Sequence, residues 1–381
     1  MVLICLFLLP LALCLSLLLN RWMIRLGQRF GQFDRPQAQS HKQHRRPVPN
    51  LGGVAIFLSV FVPAAACLGG AWIVPPSSWG GWLSPVGPHV AGIRAETPVA
   101  VAMLVGLAVV HVLGLVDDRR PISALPKLVV QLAVAGLLAA GFQVRIAAFL
   151  AAFGPAGWFV SVLISVLWMV AITNAINMLD NMDGLAAGVG AMIALVYLAD
   201  TLEGGQWFVA ALCALLAGAL LGFLFYNIAP ARLFMGDGGS LVVGLLLAVI
   251  SVRTTYMVMP QAEAPSMWYA ALMPLVVMAV PLYDLASVTL IRLCRGRSPF
   301  AADRSHLSHR LVGLGLTPRA AVGVIWLVSL ATGLGGVLLA SVRGWQALLV
   351  ALQTAAVLAV LATLEVQVTR RDPLDAQVRQ N

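Results

Sequence analysis

Long runs of hydrophobic residues alternate with short polar segments along this chain. A helix needs about 20 apolar residues to cross the ~30 Å hydrocarbon core of a bilayer. Eleven runs of about that length occur, at residues 3–20, 51–74, 98–116, 124–141, 158–177, 184–202, 207–227, 238–257, 268–292, 319–341 and 344–364. The pattern therefore predicts an all-α polytopic membrane protein with about eleven transmembrane helices.

Two apolar segments need separate interpretation. Residues 1–20 have no basic residue before the apolar run, whereas a cleaved signal peptide usually has a charged start and a small residue at the cleavage point. We expect a retained first helix whose N-terminus lies outside. Residues 145–157 are apolar but short, and Gly154 and Pro155 interrupt them. This second segment predicts a loop or an interfacial piece.

The composition supports the membrane assignment. The 381 residues are 60% hydrophobic and 10% charged, whereas soluble proteins average about 45–50% apolar and about 25% charged residues. This excludes a soluble enzyme, a disordered chain and a disulfide scaffold. The net charge is +9, from 24 Lys and Arg against 15 Asp and Glu. In a soluble protein this excess would favour a nucleic-acid partner, but in a membrane protein it first indicates basic inner loops.

The distribution of the basic residues decides between these interpretations. Twenty of the 24 Lys and Arg lie in the gaps after odd-numbered helices or in the tail. The gaps after even-numbered helices, with their flanks, hold only Arg94, Arg145, Arg253 and Arg343. The positive-inside rule then places the N-terminus outside and the C-terminus in the cytoplasm. We expect one integral-membrane domain over residues 1–367, a cytoplasmic tail over 368–381, and no nucleic-acid partner.

Four polar clusters lie in or beside the inner gaps. They are Asp117-Asp118, the Asn and Asp residues of 174–183, the segment Gly236-Asp237-Gly238-Gly239-Ser240, and residues 303–310 with His306 and His309. Ionisable residues at the ends of spanning helices are costly to desolvate and by default indicate function. The sequence thus predicts a functional site on the cytoplasmic face.

Each cluster also has a purely structural interpretation. The adjacent aspartates could cap a helix, and the two histidines could be surface residues at the membrane interface. The glycine-rich segment 236–240 could be a plain turn, although it also offers backbone N–H groups to an anion at a helix N-terminus. In the second cluster, Asn177, Asp180 and Asp183 follow at i, i+3 spacing. That spacing puts them on one helical face, which favours function.

The side chains of the four clusters indicate a class of chemistry. Their potential ligands are mostly oxygen atoms, which favours Mg²⁺ or Mn²⁺ over Zn²⁺. Oxygen-bound Mg²⁺ beside Lys, Arg and helix N-termini is the equipment of phosphoryl transfer. The membrane setting indicates that one reactant is a lipid.

The motifs, in this order, resemble the polyprenyl-phosphate N-acetylhexosamine-1-phosphate transferase family. The resemblance covers residues ~30–315 and rests on Asp117-Asp118, Asn174 through Ala186, Asn227 through Asp237, and Asp303 through Arg310. Residues 44–53 are similar to the first cytoplasmic loop of the WecA/TagO-like branch. The MraY branch instead has a Gly-Thr-Pro-Thr-Met-Gly-Gly loop and a triple histidine, both absent here. Ser308 stands where relatives often show a third histidine.

The resemblance implies transfer of a sugar-1-phosphate, by default GlcNAc-1-phosphate, from a UDP-sugar to undecaprenyl phosphate, with release of UMP. It also implies a multi-pass protein of the bacterial inner membrane, a homodimer, and a Mg²⁺ cofactor that Mn²⁺ could replace. Residue by residue, it implies that Asp237 binds the metal together with Asp117 or Asp118. The other implied site residues are Lys127, His306 and His309 for catalysis, and Asn177, Asp180, Asp183, Asn227, Arg304 and His44 for substrate binding.

The expected mechanism follows from the charge of the acceptor. A phosphate monoester has its second pKa near ~6 and is mostly dianionic at neutral pH. We therefore expect direct attack on the β-phosphorus, with an aspartyl-phosphate intermediate on one of the paired aspartates as the open alternative.

The alternative class of function is a membrane transporter for an anionic or lipid-linked solute. Transporters place polar groups near the bilayer midplane, in repeated halves, and no internal repeat is visible here. Within the predicted spans we single out His111 and Asp284. His111 precedes Asp118 by seven residues on a similar helical face and could support it or simply pack. Asp284 precedes Arg292 by eight residues and is within reach of the inner face.

Overall fold

The structure is almost entirely α-helical. The computed structural model describes residues 1–30, 33–34, 48–75, 78, 80–81, 84–256, 272–299, 303, 305–339, 342 and 344–369. The helices in these ranges are α1 Val2–Phe30, α2 Gly52–Ile73, α3 Val90–Arg119, α4 Ala124–Gly136, α5 Pro155–Leu179, α6 Leu185–Glu203, α7 Trp207–Asn227, α8 Asp237–Tyr256, α9 Leu272–Val277, α10 Ala279–Cys294, α11 Leu307–Gly313, α12 Pro318–Leu338 and α13 Gly344–Thr369. A two-residue antiparallel ladder joins β1 (Phe33–Asp34) to β2 (Val48–Pro49).

Within the described ranges, ten helices are long and apolar enough to cross a membrane: α1 to α8, α12 and α13, with α4 continued by a π-helical turn over Leu137–Gly141. This confirms the prediction of an all-α polytopic membrane protein. Ten of the eleven predicted spans correspond to these helices.

The ninth predicted span, residues 268–292, is divided in the structure. Its described part forms α9 and α10, which are separated at Met278. Pro281 explains the break, because proline has no N–H to donate to the carbonyl of Val277 and its ring crowds that carbonyl. The backbone bonds from Met278 to Pro274 and from Leu282 to Met278 continue on either side. Residues 268–271 lie outside the described residues.

The segment predicted as a loop or interfacial piece, 145–157, contains a short 3-10 helix over Ala148–Phe153. Phe149 and Phe153 in that helix are exposed. α5 then begins at Pro155, because proline is favoured in the first turn of a helix, where its missing N–H has no partner to lose.

α8 lies at the centre of the bundle, since 94% of its spanning window is buried, against 22% for α1 and α13. α3, α5, α6 and α2 pack around it. α1 packs along α7, where the Ser16 hydroxyl donates to the Ala219 carbonyl at 2.7 Å. A Cβ on Gly218 or Gly222 would overlap the backbone of α1, so these glycines permit the close approach.

The connections place the predicted site residues at one end of this bundle. α3 and α5 end there, and α4 and α8 begin there, which brings Asp117, Lys127, Asp180 and Asp237 to the same side. Arg94, Arg145 and Arg253 lie toward the opposite end, while Arg343 is outside the described residues. This separation agrees with the charge count, although the direction of the bundle in the membrane stays a prediction.

Candidate active site

Asp118 holds the first turn of α8. Its Oδ1 accepts the backbone N–H of Asp237 at 2.9 Å, and its Oδ2 accepts that of Gly238 at 3.0 Å. The Asn50 amide also donates to Oδ1, at 3.0 Å. The first N–H groups of a helix lack intrahelical partners and carry partial positive charge, so a carboxylate there is stabilising. Asp118 therefore fixes the position of Asp237 and has both oxygens engaged.

Glycine allows α3 to come this close to α8. A Cβ on Gly114 would overlap the backbone of Asp237 and Gly238. Gly236, just before α8, has φ +68°, a left-handed conformation that glycine adopts without strain. A Cβ on Gly236 would also crowd the Asp118 carboxylate, at 2.6 Å from Oδ2. Both glycines are thus required where the aspartate meets the helix.

A lysine lies between two carboxylates at this end of the bundle. The Lys127 ammonium donates to Asp117 Oδ2 at 2.8 Å and to Asp237 Oδ2 at 3.4 Å. The Ile122 N–H donates to Asp117 Oδ1 at 2.6 Å. Lys127, predicted to meet phosphate, is here the counter-ion of two predicted metal ligands.

α5 brings two more predicted residues to Asp237. The Asn177 amide donates to Asp237 Oδ1 at 3.0 Å and to Ser240 Oγ at 2.8 Å. Asp180 follows directly after α5. Burial, together with the nearby carboxylates of Asp237, Asp118 and Asp183, raises the pKa of Asp180 to about 8. Because burial and like charges both disfavour ionisation, Asp180 holds its proton more strongly than an exposed aspartate does.

Asp183 and Asn227 contact the loop that precedes α8. Asp183 Oδ2 accepts the Ala231 N–H at 2.9 Å. Asn227 is buried; its Oδ1 accepts the Gly184 N–H and its amide donates to the Leu233 carbonyl, both at 2.9 Å. A loop that enters the protein must satisfy its backbone polar groups. These two side chains therefore brace the loop over residues 228–236, which leads into α8.

His111, whose role the sequence left open, supports the first turn of α8. Its Nδ1–H donates to the Gly238 carbonyl at 2.7 Å, and its ring stacks on Phe57 with centroids 4.3 Å apart. It thus fixes the same turn of α8 that Asp118 holds. The seven-residue spacing to Asp118 was the signal in the sequence, because it puts both residues on a similar face of α3.

The histidine motif, residues 303–310, contacts the segment after α5 through a serine. Ser308, on α11, is buried and its hydroxyl donates to Asn181 Oδ1 at 2.5 Å, next to Asp180. His306 is buried against α10, with Nδ1 2.9 Å from Asp284 Oδ2. His309 is half-buried on α11. Two predicted residues, Arg304 and His44, lie outside the described residues.

Asp303 stays charged beside this motif. Partial burial favours its neutral form, but hydrogen bonds from Arg292 at 3.0 Å and from the Ser305 backbone and hydroxyl at 3.1 and 2.8 Å outweigh that effect. They lower the pKa of Asp303 to about 2. The pair with Arg292 is therefore ionised throughout the physiological range.

Comparison with known proteins gives the family. A model described as Glycosyl transferase family 4 matches residues 100–255. The "Probable undecaprenyl-phosphate N-acetylglucosaminyl 1-phosphate transferase" of Bacillus subtilis (strain 168) is 32% identical over 332 residues, which cover 86% of this chain and 82% of that protein. The "Decaprenyl-phosphate N-acetylglucosaminephosphotransferase" of Mycobacterium tuberculosis (strain ATCC 25618 / H37Rv) is 32% identical over 319 residues, 79% of this chain and 74% of that protein.

A "Phospho-N-acetylmuramoyl-pentapeptide-transferase" of Shouchella clausii (strain KSM-K16) is 32% identical over a shorter stretch of 240 residues, 59% of this chain and 67% of that protein. The residues matched by the family model run from α3 to α8 and include the paired aspartates, Lys127 and Asp237. These similarities confirm the family expected from the motifs, and the chain belongs to glycosyl transferase family 4.

Proposed function

We propose that this protein transfers GlcNAc-1-phosphate from UDP-GlcNAc to undecaprenyl phosphate in the bacterial inner membrane. The products are UMP and a polyprenyl-diphosphate-linked sugar that initiates synthesis of a cell-envelope glycan. The observation that carries this proposal is the meeting of Asp117, Lys127, Asn177 and Asp237 at one end of the bundle, in a chain similar to polyprenyl-phosphate transferases. That end is where a lipid phosphate at the membrane surface can reach a soluble nucleotide.

Asp117, Asp180 and Asp237 form an acidic cluster that suits a divalent cation. Within the described residues, no three His, Cys, Asp or Glu side chains already have the arrangement of a metal site. The donor set nevertheless fits Mg²⁺ or Mn²⁺, because Asp117 and Asp237 each place a carboxylate oxygen on the same Lys127 ammonium, at 2.8 and 3.4 Å, and the charge of Asp237 acts on the nearby Asp180 carboxylate. These three residues would hold the ion. When bound, it would neutralise phosphate charge and orient the diphosphate.

Side chains of the protein bind and orient the phosphates of the two substrates. Lys127 can reach an oxygen of the lipid phosphate from its place between two carboxylates, and we assign His309, half-buried on α11, to the donor side. Asn177 keeps the Asp237 carboxylate in one orientation through its amide. Positioning and charge neutralisation are the main requirements, because the phosphate is already a dianion and needs little help from a base.

We propose a single displacement. An oxygen of the lipid phosphate forms a bond to the β-phosphorus of the donor, the bond from that phosphorus to the bridging oxygen breaks, and UMP leaves with that oxygen. The hydrogen bonds of the paired aspartates support this route: Asp117 binds Ile122 N–H and Lys127, and Asp118 binds the first turn of α8. Neither carboxylate is a free nucleophile. Trapping of a phosphorylated enzyme without acceptor would contradict a single displacement.

The test is a reconstituted assay. Purified protein in vesicles with undecaprenyl phosphate is incubated with UDP-GlcNAc, UDP-GalNAc and the UDP forms of QuiNAc and FucNAc, and UMP and lipid product are measured. We expect UMP and a lipid-linked sugar in equal amounts from UDP-GlcNAc, dependent on Mg²⁺ or Mn²⁺. Correctly folded protein that releases no UMP from any of these donors would refute the proposed function.

A further inference from the structure

We propose that Asp284, a buried carboxylate inside α10, is a positioning residue that holds α11 against the acidic cluster. This inference rests on the proposed function. Asp284 is 0% exposed, although it lies in a segment predicted to span the membrane. A buried carboxylate is retained only where partners compensate its desolvation. Among the described residues, the polar partners of its carboxylate all belong to the histidine motif: His306, Leu307 and Arg310.

Both oxygens of Asp284 bind the start of α11. Oδ2 lies 2.9 Å from His306 Nδ1, and Oδ1 accepts the Leu307 N–H at 2.7 Å. α11 has only seven residues and His306, its N-cap, makes no capping bond with its own side chain. Asp284 therefore supplies from another helix the negative group that the N-terminus of α11 needs.

The neighbours of His306 select one tautomer. A carboxylate only accepts, so Nδ1 carries the proton toward Asp284. Arg292 Nη2 lies 3.5 Å from Nε2 and only donates, so Nε2 is the acceptor. Arg292 is in turn paired with Asp303 at 3.0 Å. The ring of His306 is thus held from both sides and is fixed to α10 rather than pointing freely into the cleft.

Arg310 attaches the far side of the same element. Its Nη2 donates to Ser287 Oγ at 2.7 Å and lies 3.4 Å from Glu365 Oε1 on α13 and 4.0 Å from Asp284 Oδ1. Glu365 also accepts the Tyr283 hydroxyl at 2.7 Å. α11 is therefore bound through charged groups to α10 and to α13.

The opposite face of α11 contacts the segment that follows α5, next to Asp180. Ser308 donates to Asn181, the neighbour of Asp180. A path of direct contacts thus runs from Asp284 through Leu307 and Ser308 to Asn181. A shift of α11 moves His309, which we propose meets the donor, while Lys127 on α4, which we propose meets the lipid phosphate, stays in place. Asp284 should therefore affect binding of the UDP-sugar more than binding of the lipid.

The experiment compares Asp284→Asn with the parent in vesicles. The Asn keeps the size and one acceptor for Leu307, but its amide presents N–H to His306 Nδ1. We expect the KM for UDP-GlcNAc to rise on the order of 10-fold or more and the KM for undecaprenyl phosphate to stay unchanged. A merely destabilised protein loses active molecules, which lowers Vmax and leaves both KM values unchanged. That result would overturn the proposal.

A second measurement does not depend on activity. Hydrogen–deuterium exchange of the full-length protein should increase in the peptide over residues 306–313 of Asp284→Asn and stay unchanged in α8. Unchanged exchange in that peptide would also overturn the positioning role. If the parent turns over no UDP-sugar, the proposed function fails, while the exchange experiment still tests Asp284.

Two further variants complete the design. Ser308→Ala removes the contact with Asn181 without touching Asp284, so we expect the same selective rise in KM for UDP-GlcNAc, and an unchanged KM would contradict the path. Ser308→Ala also tests the proposal if Asp284→Asn does not fold. Glu96→Gln is the matched control, because it removes a 2.7 Å ion pair with Arg253 at the opposite end of the bundle. Both KM values should stay at the parent level in that variant.

Discussion

The carboxylate of Asp118 binds the backbone of Asp237, with Oδ1 2.9 Å from the Asp237 nitrogen, although the two residues are 119 positions apart. Asp118 thus fixes the position of Asp237. The paired aspartates consequently have unequal tasks: Asp118 is bonded to α8, and Asp117 pairs with Lys127, which also donates to the Asp237 carboxylate.

Asp118→Asn should cost both stability and activity. Its amide would direct N–H toward one of the two α8 N–H groups, so a capping bond is lost, at about 0.5–2 kcal/mol for such caps. Thermal unfolding and UMP release are the measurements. Thr317→Ala is the matched control, because it removes a 3.3 Å capping bond to Ala320 at the start of α12. The control should lose stability and keep activity; equal activity in both variants would contradict the assignment.

Asp237→Asn should abolish metal-dependent UMP release while the protein still folds in membranes. The variant keeps an oxygen that can accept from Asn177 but removes the charge that faces Lys127 and Asp117. UMP release over a Mg²⁺ titration is the measurement, with thermal unfolding as the check on folding. Near-normal release by this variant would rule out Asp237 as the metal ligand.

Asp180 should make the stability of the metal-free protein depend on pH. Its pKa is about 8 in the folded protein, against ~3.9 in an unfolded chain. Since folding raises this pKa, the folded state is favoured at low pH and loses stability as the pH rises from ~4 toward 8. Melting temperature measured in EDTA from pH 6 to pH 9 should therefore fall.

Asp180→Asn is the control for that pH series, because it keeps the shape and cannot ionise. The difference in melting temperature between the variant and the parent should grow with pH, and Mg²⁺ should reduce the difference by stabilising the parent. Parallel curves for the two proteins would contradict a raised pKa at this position.

Gly114→Ala should disrupt the site, whereas Gly136→Ala should be tolerated. A methyl group at position 114 overlaps the backbone at the start of α8, while one at position 136 meets nothing within 4 Å. An alanine at a compatible helical glycine stabilises by about 0.5–1 kcal/mol. Yield of folded protein, melting temperature and UMP release distinguish the pair. Wild-type behaviour of Gly114→Ala would contradict the close approach of α3 to α8.

The sequence predicted the features that depend on local pattern. Hydrophobic length predicted the spans, and polar residues at their ends predicted which side chains would meet, because a bundle must place consecutive helix ends on alternate sides. The i, i+3 spacing predicted a shared face for Asn177, Asp180 and Asp183. In the structure Asn177 contacts Asp237 and Asp183 contacts the loop before α8, because α5 ends at Leu179 and helical spacing does not apply beyond it.

The features that escaped prediction depend on contacts between distant segments. The bond from Asp118 to α8 requires the packing of α3 on α8, and a single sequence does not contain that packing. The same holds for Asn227, whose buried amide bridges Gly184 and Leu233. Asp284 was recognisable only as an acidic residue inside a span; its partners on α11 lie more than 20 positions away.

The place of Lys127 between Asp117 and Asp237 has a consequence for the resting enzyme. Without ligands, the carboxylates of Asp117 and Asp237 would repel each other. The Lys127 ammonium, on its flexible four-carbon stem, supplies a counter-charge that cannot diffuse away. When an external cation or a phosphate arrives, the ammonium can change partner without leaving the pocket. In the cycle we propose, Lys127 would therefore exchange one ionic partner for another without a change in the shape of the site.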